Sequence, residues 1–429
     1  MKTADYVSTG ERRVTGITAS GLPVIVVPKL EYTKSFAFLA TDYGGADRRF
    51  RIGRKWCDTP AGVAHFLEHK MFDQPDGTNA LPVLSSMGAS PNAFTSTDIT
   101  AYHFECADNF DEDLKLLIDF VFTPYYTEES VAKEQGIIGQ EIRMTEDNPW
   151  FALYYDFLKA LYRAHPLRDS VAGTVESISH ITAQTLYDCH AAFYVPRNMV
   201  LCVAGDQDPE HVFDLAQREL QHDSGEKPER DYGPDEAGMP VRMRTERTME
   251  VGLPLFMTGC KSAAPACGDG YLRRLLTSEI ALEILCGKSS PLYLELYAKG
   301  LINQSFSAEY EISAGTAHSA VSGESRDPEA VAGRLREETA RFIADGPAEG
   351  DFARVRKALT GAKLRELDSL ETICYSTAKG YFKGYDYLTS SEVLRQITPE
   401  ETVEFVRTAL DPDQFALSVV SPAGQERHE

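Results

Sequence analysis

Residues 178–206 read ISHITAQTLYDCHAAFYVPRNMVLCVAGD, and residues 394–422 read LRQITPEETVEFVRTALDPDQFALSVVSP. Ile181-Thr182 aligns with Ile397-Thr398, Pro196 with Pro412, Leu201 with Leu417 and Val203 with Val419, all at one offset of 216 residues and without a gap. Both segments read alike. A Thr caps the free N–H groups of a helix, a Pro marks the turn that ends it, and an apolar run forms a buried strand. A constant register across helix, turn and strand indicates an internal duplication.

The repeat extends outward. The first half opens with the strand-like runs TGITAS, LPVIVVP and SFAFLATDYG. A helix is predicted around Ala61–Phe72, strands around Pro91–Phe104, and several helices after them. The second half keeps that order: VRMRTERTMEVGLPLFMTG as strands, a helix around Leu272–Cys286, then INQSFSAEYEISAG and AHSAVSGES as strands, then long helices. Strand blocks interleaved with helices predict an α+β fold. Each half is an α/β sandwich, a mostly antiparallel sheet with helices on one face. Between the halves, His222 to Pro240 is aperiodic, polar and rich in Gly and Pro, a linker composition. The expected domains are therefore residues 1–222 and 241–429.

A chain of 429 residues with 43% hydrophobic content has room for two or three cored domains. The net charge of −22 argues against nucleic acid and anionic membrane surfaces as partners. It is compatible with attraction of basic peptides and equally with simple solubility. No apolar run is long enough to span a membrane, and the first residues lack the apolar core of a secretory signal. The eight cysteines are scattered without a CxxC pair, which fits a reducing cytoplasm.

Residues 65–72 read HFLEHKMF. Thr59 and Pro60 suggest a helix start. On a helix, positions i and i+4 share a face, so His65 and His69 point the same way, at a separation one Zn²⁺ can bridge. Glu68 shares that face and can reach a water on the metal without displacing a ligand. Zinc lowers the pKa of such a water to about 7, which a neighbouring carboxylate can exploit as general base. The alternative is a helix with two surface histidines flanking a glutamate. Catalytic zinc takes three protein ligands. Downstream, TEESVAKEQGIIGQEIRMTEDNPW (127–150) reads as a helix capped by Thr127 with Glu128 and Glu129 in its first turn. Glu134 and Glu141, seven apart, share one face. Spacing leaves them open between a metal site, with Glu141 as ligand and Glu134 orienting a histidine, and a solvated charged face. Ile137, Ile138, Ile142, Gly136 and Gly139 favour a buried, closely packed helix.

Together HFLEHKMF, GASPNAFTSTDITAYHFEC and KEQGIIGQEIRMTEDNP resemble the insulinase/pitrilysin superfamily of inverted (HxxEH) zinc peptidases. The segments NAFTSTDITAY, GIIGQEI and AGTVESISHIT are similar to its half-length bacterial processing-peptidase branch. The match runs in order through essentially the whole first half, and Glu141 lies 72 positions after His69, a spacing typical of the superfamily. The resemblance implies one Zn²⁺ per chain on His65, His69 and Glu141, Glu68 as the base, and Glu134 as the carboxylate behind a ligand. It implies that GASPNAFTS is an edge strand to which a substrate peptide adds through its main chain, with Asn92 and Ala93 facing it. Pro91 suits an edge, where a missing N–H is tolerated.

The second half departs from the pattern. At the repeat offset, His65–His69 fall on Ala281–Leu285, which has Ala281 and Leu285 in place of the two histidines and so no ligands there. The superfamily's Arg and Tyr, seven apart, are replaced in LYLELYAKGLINQSFS by Tyr297 and Gln304, and Tyr297 and Tyr310 read as core aromatics. The resemblance further implies half of a clam-shell chamber, completed by a homodimer or by a heterodimer with an inactive paralogue. The expected activity is zinc-dependent endopeptidase hydrolysis of peptides or extended segments, with peptide processing as its setting. The alternatives are a non-catalytic or half-site subunit and a zinc hydrolase of small amides.

Overall fold

The computed structural model describes residues 1–220, 224–236 and 238–423. Residues 222, 223 and 237 of the expected linker, and the ends 222 and 429 of the expected domains, lie outside them. The strands of the first half are β1 (Lys2–Tyr6), β2 (Glu11–Ile17), β3 (Pro23–Pro28), β4 (Ser35–Thr41), β5 (Arg49–Ile52), β6 (Lys55–Asp58), β7 (Ser90–Thr95), β8 (Thr100–Cys106), β9 (Met199–Gly205) and β10 (Glu229–Arg230). Those of the second are β11 (Arg244–Met249), β12 (Leu255–Ala263), β13 (Ser307–Ser313), β14 (Thr316–Glu324) and β15 (Ala416–Pro422).

Two sheets repeat one topology. The first has the order β1-β2-β3-β9-β4-β8-β7, the second β11-β15-β12-β14-β13. β3 runs parallel to β9, and β11 runs parallel to β15. Every other neighbour in the two sheets is antiparallel. The duplicated segments occupy equivalent places. Thr182 and Thr398 cap the helices Ala183–Phe193 and Pro399–Ala409 with capping boxes, Pro196 and Pro412 open short 3₁₀ turns, and β9 and β15 follow. The protein is therefore an α+β chain of two homologous, mostly antiparallel halves. A small sheet of order β10-β5-β6 is an addition to the first half that periodicity did not indicate.

The compact units do not follow sequence order. One comprises Met1–Ile142, Ser170–Tyr232 and Lys363–Thr389; the other comprises Arg143–Asp169, Gly233–Ala362 and Ser390–Glu429. The halves thus exchange a helix relative to the expected 1–222 and 241–429 division. The cause is burial on the sheets. In the first unit Val24, Val26, Leu39, Phe104, Leu201 and Val203 face the main helical layer. Ile25, Val27, Phe36, Phe38, Val200 and Cys202 face the other way, and Leu370, Ile373, Cys374 and Ala378 of helix Leu370–Lys383 cover them. In the second unit Leu153, Phe157, Leu158 and Leu161 of helix Pro149–Leu161 cover Leu255, Met257 and Val420. A strand apolar on both sides needs cover on both, and each half draws the second cover from the other half's sequence.

Candidate metal centre

The motif helix spans Val63–Lys70, and its start differs from the Thr59-Pro60 expectation. Its N-cap is Gly62 at φ 96°, with no side-chain cap. A Cβ there would meet the Ala172 carbonyl oxygen at 2.6 Å and the Ile178 side chain at 2.9 Å. Glycine is thus required both by the left-handed backbone and by the close crossing. Ser177 Oγ donates to the Ala61 carbonyl at 2.8 Å and ties this crossing together. Thr59 instead donates its hydroxyl to the Arg48 carbonyl at 3.0 Å. Val63, Ala64, Phe66 and Leu67 fill the core, so the opposite face presents the histidines.

The rings of His65 and His69 lie 4.6 Å apart between centroids. The third group arrives on helix Glu128–Glu146. Thr127 caps it as expected, accepting the Ser130 N–H at 3.1 Å. Ile138 and Ile142 are buried, but Ile137 is 47% exposed and Gly136 is exposed, so only one side of this helix is packed. Glu141, beside the buried pair, is itself only partly buried. Its Oε1 stands 3.5 Å from His65 Nε2 and its Oε2 3.6 Å from His69 Nε2. Ligand atoms of the three lie within 4.8 Å of one another, and among the described residues this is the group of His, Cys, Asp and Glu that could hold a metal. Tetrahedral bonds of about 2.0–2.1 Å set ligand atoms roughly 3.3 Å apart, so the donor set and spacing fit zinc.

The remaining carboxylates are placed around this triad. Glu134 Oε1 lies 3.1 Å from His69 Nδ1. With Nδ1–H donating there, Nε2 keeps its lone pair for the triad. Burial alone would lower the His69 pKa. The Glu134 hydrogen bond and the charges of Glu68, Glu134 and Glu141 outweigh it and raise that pKa above the usual value. Glu141 is held below the usual carboxylate range by His65, against the effect of its partial burial. His65 Nδ1 is buried without a hydrogen-bond partner among the described residues. Glu68 is 8% exposed, and burial raises its pKa despite the opposing influence of both histidines and of Thr95. Its Oε2 accepts the Thr95 hydroxyl at 3.0 Å. Thr95 sits inside GASPNAFTS, where nothing in the local sequence distinguishes it from an ordinary strand former.

β7 is the edge of its sheet. Asn92 pairs with His103 and Ala93 with Tyr102 of β8. The Ala93 N–H is taken by Asn92 Oδ1 at 2.9 Å. It therefore points off the edge rather than into the ladder, and Pro91, two residues earlier on the same side, has no N–H to offer. In the second unit, Ala281–Leu285 lies on helix Asp269–Cys286 with Ala281, Leu282, Ile284 and Leu285 buried. Tyr297 is 49% exposed at the end of helix Pro291–Ala298, where the helix turns out of the core, so it is not the core aromatic expected. Tyr310 is partly buried and packs edge-on against Phe405 at 5.0 Å.

Comparison with known proteins agrees with this architecture. The chain is 37% identical over 414 residues to the uncharacterized zinc protease YmfH of Bacillus subtilis, an alignment covering 94% of this chain and 95% of that protein. The chain belongs to the insulinase family, peptidase family M16. The family's model, "Insulinase (Peptidase family M16)", matches residues 57–175, and "Peptidase M16 inactive domain" matches residues 180–359. The M16 assignment extends to solved structures. An M16-like peptidase from Alicyclobacillus acidocaldarius superposes with a TM-score of 0.92 at 33% identity, over 96% of this chain and 99% of that one. Pitrilysin shares the fold at 15% identity with a TM-score of 0.77, over 99% of this chain and 46% of the pitrilysin chain. The chain thus spans about half of the pitrilysin chain and nearly the full length of YmfH. Among the described residues no helix is long and apolar enough to cross a membrane.

Proposed function

We propose that this M16 chain is a zinc-dependent endopeptidase acting on peptides or extended peptide segments. The observation that carries the proposal is the convergence of His65, His69 and Glu141 from two helices, with the buried carboxyl of Glu68 beside them. His65, His69 and Glu141 would hold one Zn²⁺. Zinc at such a site supplies Lewis acidity, polarising a carbonyl and making water acidic enough to lose a proton near neutral pH. Glu68 takes the proton from the attacking water and returns it to the leaving amine. Its burial suits both roles by disfavouring the charge it carries at rest. Glu134 fixes the ring orientation of His69. Asn92 and Ala93 on the β7 edge bind substrate, whose main chain adds as a further strand and is held largely without regard to sequence. That edge favours a peptide over a small amide. The setting proposed is peptide processing.

A second reading keeps the same site in a half-site subunit. Residues 180–359 match an inactive domain, and Tyr297 and Gln304 stand where an Arg and a Tyr are expected. The donors that stabilise developing charge would then come from a homodimer partner or an inactive paralogue. All eight cysteines are free thiols, which supports placement in a reducing cytoplasm.

The test is cleavage of a mixed quenched-peptide library by the purified chain. Activity should disappear on chelation, return with zinc, and be absent from Glu68→Gln. Cleavage that survives Glu68→Gln sinks the assignment of Glu68. A zinc-loaded chain that cleaves only after a second subunit is added establishes the half-site reading.

A further inference from the structure

The hydroxyl of Thr95 meets Glu68 at the end of the strand proposed to receive the peptide. Side chains alternate along a strand, so Ala93 and Thr95 share one face of β7. Ala93 packs on the core that includes the motif helix, while Phe94 turns to the other face, beside Phe38 and Tyr375. Thr95 therefore stands on the motif-helix side, and its Oγ1 donates to Glu68 Oε2 at 3.0 Å. The neighbouring Thr100 hydroxyl fixes this direction. Thr100 Oγ1 is 2.9 Å from the Tyr43 carbonyl and 3.3 Å from Thr95 Oγ1, so its one hydrogen serves the carbonyl, and the Thr95 hydrogen serves the carboxylate.

The end of an edge strand is ordinarily where a sheet frays. Here the turn after Thr95 is clamped from two sides, by the loop Gly44–Asp47 and by helix Leu370–Lys383. The Gly45 N–H donates to the Ser96 carbonyl and the Ala46 N–H to the Thr97 carbonyl, each at 2.9 Å. Gly44 lies so close that a Cβ would be 2.5 Å from the Asp98 nitrogen. Its own N–H is held by Asp47 Oδ2 at 2.8 Å. From the exchanged helix, Lys383 Nζ pairs with Asp98 at 2.7 Å, and the pair is largely buried. A surface threonine has no need of such support. A hydroxyl that must keep one carboxylate oxygen in place does.

Resting on the peptidase reading above, we propose that Thr95 is a positioning residue for Glu68. Its hydroxyl pins Oε2 and leaves Oε1 free to take and return the proton. Because Thr95 ends the strand that Asn92 and Ala93 belong to, peptide bound along β7 and the carboxyl of Glu68 are set by one rigid segment.

The test compares Thr95→Val, which keeps the shape and removes the hydroxyl, with Thr95→Ser, which keeps the hydroxyl. Crystal structures of the zinc-loaded full chain read the side chain of Glu68 directly. In Thr95→Val it should leave its rotamer or lose order, while in Thr95→Ser it should stay; zinc content should be one per chain in both. In kinetics, kcat should fall on the order of tenfold to a hundredfold in Thr95→Val with KM within a factor of about two, as for loss of a hydrogen bond to a charged group. Thr95→Ser should recover most of it. An ordered, unmoved Glu68 in Thr95→Val overturns the proposal, as does Thr95→Ser impaired as deeply as Thr95→Val. The crystallographic arm decides the matter even for a chain that needs a second subunit to cleave. Glu68→Gln keeps the two readings apart: activity surviving there sinks the role of Glu68, whereas activity lost there but intact in Thr95→Val sinks only the role of Thr95.

Discussion

Ile373→Ala tests the exchanged helix where its effect is largest. Ile373 is fully buried on helix Leu370–Lys383, among Phe36, Phe38, Val200 and Cys202 of the first unit's sheet. Its substitution leaves a cavity between a helix and a sheet whose other face is also packed, so neither wall can easily move in. Substitutions of this kind cost about 2–5 kcal/mol, and poor collapse places this one toward the upper half, about 3–5 kcal/mol. At 1.4 kcal/mol per tenfold, amide exchange limited by opening of that unit should accelerate by roughly a hundredfold to a few thousandfold. The assay is native-state hydrogen exchange by peptide, following β4 and β9 of the first unit and β12 and β14 of the second. The acceleration should fall on β4 and β9, although Ile373 lies more than 160 residues beyond β9 in the chain. Glu371→Ala, on the exposed side of the same helix, should change exchange by less than about threefold, in keeping with a surface change within 0.5 kcal/mol. Acceleration confined to β12 and β14, or equal for the two substitutions, would refute the exchange.

Other predictions concern the metal centre and the acid limb of stability. Glu134→Gln should weaken zinc binding about 10- to 100-fold, measured by competition with a chromogenic chelator, because it removes the charged acceptor from His69 Nδ1. Gly62→Ala forces a side chain into a left-handed backbone and against the Ala172 carbonyl; it should cost about 1–3 kcal/mol in urea unfolding and lower zinc affinity by displacing His65. His103 lies among Phe36, Phe38 and Phe94, and burial pushes its pKa down to about 4. The folded state therefore binds fewer protons than the unfolded chain between pH 4 and about 6.5, and the stability this group contributes above pH 6.5 is lost as pH falls through that window, a total of about 3 kcal/mol. His103→Phe should lose correspondingly less between pH 6.5 and 4. Urea unfolding of metal-free protein in a Trp150→Phe background, where Trp56 of the first unit is the reporter, measures the difference, and equal losses in the two proteins count against the assignment.

The legibility of this molecule depended on how local each signal was. Thr127, Thr182 and Thr398 act within three residues of themselves, so sequence alone locates the helix starts they cap. HFLEHKMF is legible for the same reason, since i and i+4 on a helix are set by local geometry. Gly62 shows the limit of local reading. Thr59-Pro60 is a plausible cap on propensity, and the crossing with residues 172–178 overrides it. Ile137 and Ile138 are neighbours of one type, and only tertiary packing buries one and exposes the other. The helix exchange was out of reach altogether. The amphipathic faces of Pro149–Leu161 and Leu370–Lys383 state that each helix must cover a sheet, but not which one.

The two copies of the fold show what the candidate site costs. At the repeat offset the positions of His65 to His69 are Ala281 to Leu285, four of whose five side chains are buried in the second unit. The same place in the architecture is therefore suited to packing, and the second copy uses it so. In the first copy that helix sets two histidines and a nearly buried carboxyl on one face, with Glu141 and Glu134 brought against them. Among these five ionisable groups burial pushes Glu68 toward its neutral form and Glu141 repels it, while His69 and Glu141 are each drawn toward their charged forms by their partners. A divalent ion would offset the repulsion between Glu68 and Glu141, because it attracts both carboxylates, and binding it needs the histidines neutral. The structure thus implies a stability difference between the halves. Metal removal should loosen Val63–Lys70 and Glu128–Ile142 selectively in hydrogen exchange, while β12, β14 and the helix Asp269–Cys286 remain as protected as before. Loosening spread equally over both units would mean that the cluster is held by ordinary packing and does not depend on a bound cation.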